Sequence, residues 1–146
     1  MKATSLPNAR LLYSKTDTSK DWMTNLISID LAIESHPRLQ RASNRFHLYF
    51  FKPGSEIQEN EEIWVGREVS GFMNPGELEG LETYDLLKGV GFEEEFEVSE
   101  GLSLQDLLNR EKKLRSELKA TPASTWRVSF LETESGIKGN IGLFKA

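Results

Sequence analysis

The sequence predicts an α+β fold: two strand–helix–strand–strand modules in tandem, their strands forming antiparallel sheet and both helices lying on one side of it. Three observations carry this. Apolar residues recur at helical spacing in two stretches, Asp21 to Ser35 and Ser103 to about Lys119. The stretches around them alternate apolar and polar residues, as strands with two unlike faces do. The order also recurs at near-constant spacing, because Ser103 follows Asp21 by 82 residues and Trp126 follows Phe46 by 80. The two halves share element order and almost no identity.

Taken in order, Arg10 to Lys15 is a short strand. Thr18 with Asp21 three residues on forms a capping-box variant. Behind it Trp22, Leu26, Ile29 and Ile33 make the apolar stripe of an amphipathic helix, which Pro37 ends by disfavouring helical geometry before it. Phe46 to Phe51 is an aromatic-rich strand, Pro53-Gly54 a turn, and Ile63 to Val69 a strand alternating with Trp64, Gly66 and Glu68. Residues Asn74 to Gly91 read as a connector with a short strand near Leu81 to Leu86. Phe92 to Val98 opens the second module. A second capping-box variant, Ser103 with Asp106, starts a helix with Leu104, Leu107, Leu108, Leu114 and Leu118 on its apolar face, and Pro122 stops it. Trp126 to Leu131 and Ile137 to Lys145 are the last two strands, joined by a Glu134-Ser135-Gly136 turn.

Composition fits this plan. At 146 residues, 38% hydrophobic and 28% charged, the chain is expected to form a single globular domain over 1–146, with pseudo-repeats at 8–73 and 92–146 around a connector at 74–91. No apolar run approaches the ~20 residues of a spanning helix, and the first residues carry no apolar signal core, so a cytoplasmic location and no membrane partner are expected. The absence of cysteine excludes disulfides, thiolate metal sites and a cysteine nucleophile; with His36 and His47 far apart, no metal or other cofactor is expected. A net charge of −5 argues against direct nucleic-acid binding. Acidic clusters at Glu56 to Glu62, Glu77 to Glu82 and Glu93 to Glu100 read first as solvated surface. No Ser/His/Asp set or phosphate-cradling loop stands out; Gly89-Val90-Gly91 leads into a strand, which a dinucleotide fingerprint does not.

The series Trp64-Val65-Gly66-Arg67-Glu68-Val69, Pro75, Gly80-Leu81-Glu82-Thr83, Gly89 and Val98-Ser99-Glu100-Gly101-Leu102-Ser103 resembles the gyrase-inhibitor-like effector-binding superfamily, which also stands behind DNA-binding domains of AraC- and MerR-type regulators. The resemblance extends more weakly over nearly the whole chain. It implies a ligand groove between the modules, opposite the helices, for small and often cationic or aromatic molecules. Members sense or sequester drugs, one branch binds DNA gyrase, and another hydrolyses cyclopropane-containing toxins. Two departures stand out: where members often carry a glutamate after the second helix and another near the last strand, this sequence has Arg127 and Asn140. With those residues there, hydrolysis is the less expected function.

Face by face, Phe46, Leu48 and Phe50, Ile63, Val65 and Val69, Trp126, Val128 and Phe130, and Ile141 and Leu143 are the natural partners of the helices. The opposite faces carry His47, Tyr49, Phe51, Trp64, Glu68, Arg127, Ser129 and Asn140. The candidate ligand-binding residues are therefore Tyr49, Phe51, Trp64, Glu68, Glu95, Trp126, Arg127 and Asn140, rings supplying apolar area and carboxylates supplying charge. Trp64 and Trp126 have the commoner role of core residues to set against this, and His47 reads as a sheet-surface residue. Glu93, Glu95 and Glu97 share one side of their strand, and three like charges there favour water. No catalytic residue is assigned. The expected function is stand-alone small-molecule binding; the alternatives are an acidic module docking on a basic protein partner, such as a DNA-processing enzyme, and the toxin hydrolase.

Overall fold

The computed structural model describes residues 2–17, 20–50, 62–98, 104–119 and 125–145. Its elements run β1 (Lys2–Leu6), β2 (Ala9–Asp17), α1 (Trp22–Ser35), β3 (Leu39–Phe50), β4 (Glu62–Gly71), β5 (Glu82–Leu86), β6 (Gly89–Val98), α2 (Leu104–Leu118), β7 (Thr125–Thr133) and β8 (Gly136–Lys145). The fold is α+β, as expected, with an eight-stranded antiparallel sheet in the order β1-β6-β8-β7-β3-β4-β2-β5. The units β2-α1-β3-β4 and β6-α2-β7-β8 are the two modules. They meet along β3 and β7, where Phe46 stands opposite Phe130 and His47 opposite Ser129.

The two remaining strands shape the site. β1 was not expected, because Lys2-Ala3-Thr4-Ser5-Leu6 has no apolar alternation and lies at a sheet edge. β6 begins at Gly89, inside the expected connector. Between them they form a ribbon: Leu6 stands opposite Gly89 and Ala9 opposite Leu86. One strand advances three residues while its partner retreats three, so β1–β2 and β5–β6 pair in a single register through both joints. The strand preceding the first module thus extends the sheet of the second, and the strand preceding the second extends the sheet of the first. The ribbon brings the two ends of the strand order together across the face away from the helices. At the crossing, the Lys88 amide donates to Asn8 Oδ1 at 2.6 Å.

The core lies on the helix side. Leu26, Ile29 and Ile33 of α1 pack with Leu12, Phe46, Leu48, Ile63, Val65 and Val69, and Leu107 and Leu114 of α2 pack with Phe96, Trp126, Val128, Phe130, Ile141 and Leu143. Trp22, Phe46 and Phe130 stack or tilt against one another across the seam. Burying each such side chain stabilises the fold by about 1.5–3 kcal/mol. The cap of α1 differs from expectation: Asp21 itself is the N-cap and accepts from the Met23 amide at 3.0 Å. Thr18 and Ser103, the expected caps, lie outside the described residues. The amphipathic reading of α1 holds for its inner stripe only, since Met23, Ile27 and Leu31 are exposed on its outer side. On the inner face of α2, Glu111 interrupts the leucines and is buried against Arg115 Nε at 2.7 Å.

Arg67 is the exception on the helix side of β4. Its Nε and Nη2 bind both oxygens of Asp30 from α1, at 2.9 and 2.8 Å, and its Nη1 binds Glu132 of β7 at 2.6 Å. One guanidinium therefore ties a helix, a strand and the other module together.

The connector after β4 is fastened by Glu77. Its carboxylate accepts from Arg38, the Asn74 amide and His36 Nε2; His36 Nδ1 accepts from the Arg38 amide, which leaves Nε2 as the ring's donor. These donors, the Arg38 guanidinium foremost, lower the Glu77 pKa from 4.5 to about 2. A carboxyl acidified by folding stabilises the native state fully above its unfolded pKa and loses that contribution as pH falls through its folded one. The clamp is accordingly expected to hold at pH 4 and to weaken only towards pH 2. A carbon-13 titration of the Glu77 carboxyl checks this, and a midpoint near 4.5 would contradict the clamp.

Candidate functional site

A bulge in β3 sets up the polar side of the sheet. Arg41 stands opposite Val69 and Phe46 opposite Arg67, so β3 takes five steps where β4 takes two. The extra residues bring Ser43 and Arg45 to Glu68. Ser43 Oγ donates to Glu68 Oε2 at 2.6 Å, and His47 Nε2 lies 2.9 Å from Glu68 Oε1. The His47 bond, helped by Ser43 and by the charge of Arg45, lowers the Glu68 pKa against the opposing effect of burial. Glu68 is thus an anion at neutral pH with both oxygens engaged. Arg45 Nη1 reaches Ser129 Oγ across the module seam at 3.5 Å.

From His47 a polar row continues across adjacent strands, Ser129 opposite His47 and Asn140 opposite Ser129. Gly66 stands opposite His47 and Gly142 opposite Arg127, so the middle strand of each module places a glycine beside a basic residue; Leu11 covers the space at Gly66, 3.2 Å from where a Cβ would sit. The Phe144 ring fills part of the second space, since a Cβ on Gly142 would sit 2.4 Å from it. Arg127 donates to the Leu87 carbonyl and places its guanidinium 5.6 Å from the centre of that ring.

Sheet and ribbon together border an open-mouthed cavity of about 370 Å³. Arg45, His47 and Glu68 line it from the first module, and Glu93, Arg127, Ser129, Asn140, Gly142 and Phe144 from the second. Thr4, Leu6, Pro7, Ala9 and Leu86 line it from the ribbon.

Of the sequence-predicted site residues, the fold brings Glu68, Arg127 and Asn140 together in this cavity. Trp64 lies outside the lining; its ring stacks on Tyr13 at 3.9 Å with Tyr84 edge-on at 5.3 Å. Tyr49 stands opposite Trp64 in the β3–β4 ladder, and Phe51 is outside the described residues. Trp126 is 4% exposed in the helix-side core, because it alternates with Arg127 and takes the other face of β7. Glu95, opposite Asn140, has a side chain 60% exposed that reaches Lys138; its neighbour on the same face, Glu93, is the one that lines the cavity. His47 is buried in the cavity wall, whereas the sequence suggested a sheet surface. The β3 bulge and the ribbon have no periodic signature, so Arg45, Ser43 and the ribbon residues were not to be found from alternation. Phe144 was legible as the same-face neighbour of Asn140.

No protein-family profile and no curated protein matches the sequence. Solved structures do. The C-terminal domain of EcmrR superposes with a TM-score of 0.72 at 11% identity, over 98% of this chain and 94% of that one. The chain has the gyrase-inhibitor-like effector-binding fold. The same fold recurs in EcmrR within its DNA complex, with a TM-score of 0.69 at 12% identity, over 99% of this chain and 57% of that one. It recurs again in SAV2435 bound to tetraphenylphosphonium, with a TM-score of 0.59 at 8% identity, over 99% and 93% of the two chains. Against this effector-binding fold, the cavity described here lies on the helix-free side of the sheet. Among the described residues no helix is long and apolar enough to cross a membrane, and no cluster of three His, Asp or Glu side chains is placed to hold a metal ion.

Proposed function

We propose that this chain binds a small organic molecule in the cavity between its modules. The observation that carries the reading is a concave space that both modules share. It has a volume of about 370 Å³, is lined by both modules and bordered by a ribbon of strands, and has polar side chains beside an aromatic ring. Small-molecule sites are concave, largely preformed and furnished with a few oriented polar groups. The effector-binding fold supports the reading, as does its ligand-bound neighbour. The acidic-docking alternative gains nothing here, since Glu77, one of its residues, is bound inside the connector clamp.

A mixed panel of planar cations, neutral aromatics and aromatic acids tests the proposal by thermal shift and calorimetry. A ligand at 100 times its Kd stabilises the native state by about 2.7 kcal/mol, well within reach of a melting experiment. Ser129→Phe puts a ring into the middle of the cavity and is expected to abolish binding of any hit. A hit bound equally well by that variant lies elsewhere on the chain, and a panel without hits argues against the reading.

A further inference from the structure

The charged residues that line the cavity balance, Arg45 and Arg127 standing against Glu68 and Glu93. An ionic guest therefore meets no net field of the opposite sign and adds an unmatched charge to a space in which the signs already cancel. Glu68 is occupied as well, with one oxygen on Ser43 and the other on His47. Such a lining favours a neutral molecule.

Two lining groups lack partners, and they are neighbours. Among the described residues, the half-buried side chains of Glu93 and Asn140 make no hydrogen bond or ion pair. Lys2, opposite Glu93 in the β1–β6 ladder, is exposed and forms no ion pair with it. Arg127 is held apart from it too. Glu93, Gly142 and Arg127 form one row across three strands, and the Phe144 ring occupies the place where Gly142 would have a side chain. Asn140 lies two residues along β8 from Gly142, on the same face and diagonal to Glu93. Diagonal neighbours on a sheet are about 7–8 Å apart, a gap that one small molecule spans. The Glu93 carboxylate only accepts, whereas the Asn140 amide both donates and accepts. Adjacent hydroxyl groups answer both: each donates to Glu93, and their oxygens accept from Asn140. A carboxylate acceptor makes these bonds charge-assisted, without any charge on the guest. Leu6 and Pro7, half-buried and exposed, give apolar cover from the ribbon for a flat ring.

We infer that the cavity takes a neutral hydroxylated ring, a catechol-like phenol whose adjacent hydroxyls bind Glu93 and Asn140 while its ring lies against Leu6 and Pro7. The inference rests on the proposed small-molecule site and specifies the class of its ligand. It sets this chain apart from its neighbour with a bound phosphonium cation.

The test is calorimetric titration of the full chain with naphthalenes that share one ring system and differ in what it carries. The probes are 2,3-dihydroxynaphthalene, its dimethoxy counterpart, 2-naphthoate and the 2-naphthyltrimethylammonium ion. The diol is expected to bind saturably and about tenfold or more tightly than each of the others. Glu93→Gln keeps the shape of the side chain and removes its charge. It is expected to weaken the diol about tenfold and to leave the dimethoxy compound unaffected. If that variant does not fold, Asn140→Leu removes the second partner and is expected to weaken the diol severalfold. Because the diol is uncharged, raising the salt from about 0.05 to 0.5 M should change its affinity by less than about twofold. Either ion, or the dimethoxy compound, bound as tightly as the diol overturns the hydroxylated-ring inference and leaves the cavity standing as a binding site. So does unchanged diol affinity in Glu93→Gln and Asn140→Leu. Binding of no probe also overturns the inference, and the mixed panel then decides the broader reading.

Discussion

Phe130→Ala is expected to destabilise the chain by about 3–5 kcal/mol, the usual range for removing a fully buried phenylalanine. Phe130 is 1% exposed and stands at the seam. Its ring lies 4.9 Å from Phe46 and 6.2 Å from Trp22 of the first module, and meets Phe96 of the second edge-on at 6.3 Å. Strands held in a ladder on both sides cannot close over the lost volume, so most of the cavity term should be felt. Urea denaturation measures it, and a loss below about 1 kcal/mol would show that the aromatic cluster is not what joins the modules. Ser129 is the next residue and faces the cavity, so ligand affinity is expected to fall in the same variant even where it remains folded.

Arg67→Met should be nearly as costly, at about 3 kcal/mol, the lower end for breaking a buried ion network. The lower end is appropriate because Asp30 and Glu132 are only partly buried and keep a more distant contact with Arg41. The loss comes mainly from leaving two carboxylates near each other without the guanidinium that compensates their charge. Replacing them too, in Arg67→Met with Asp30→Leu and Glu132→Leu, is therefore expected to recover much of the stability. A triple variant as unstable as the single one would mean that Arg67 acts through packing. Both variants load the same seam, whose opposite face is the floor of the cavity.

Much of this architecture was legible in the sequence. Ile63, Val65 and Val69 alternate so regularly that their face could be assigned, and the same holds for Val128 and Phe130 and for Ile141 and Leu143. Alternation then placed Glu68, Arg127 and Asn140 on the other face, where they line the cavity. It could not say which same-face residues are near enough to matter. Trp64 shares the face of Glu68 but is drawn aside by Tyr13 and Tyr84, contacts made by strands distant in sequence. The bulge that carries Ser43 to Glu68 breaks the period on which such reading depends. Lys2 to Leu6 becomes a strand only because Gly89 to Glu93 is there to pair with it. Arg67 shows the converse: a charged residue at a core position is invisible to a hydrophobic pattern until Asp30 and Glu132 are seen beside it.

The tandem repeat gives the cavity a pseudo-twofold plan, and its side chains break that symmetry. His47 and Arg127 occupy corresponding places, each opposite a glycine, Gly66 or Gly142. Two residues beyond those glycines stand Glu68 in one half and Phe144 in the other. A site with two equal halves cannot tell the ends of its guest apart and admits it either way round. Here one half offers a hydrogen-bonded carboxylate and the other a ring beside a guanidinium. The site therefore has a head and a tail, and a bound molecule should hold a single orientation, one per chain.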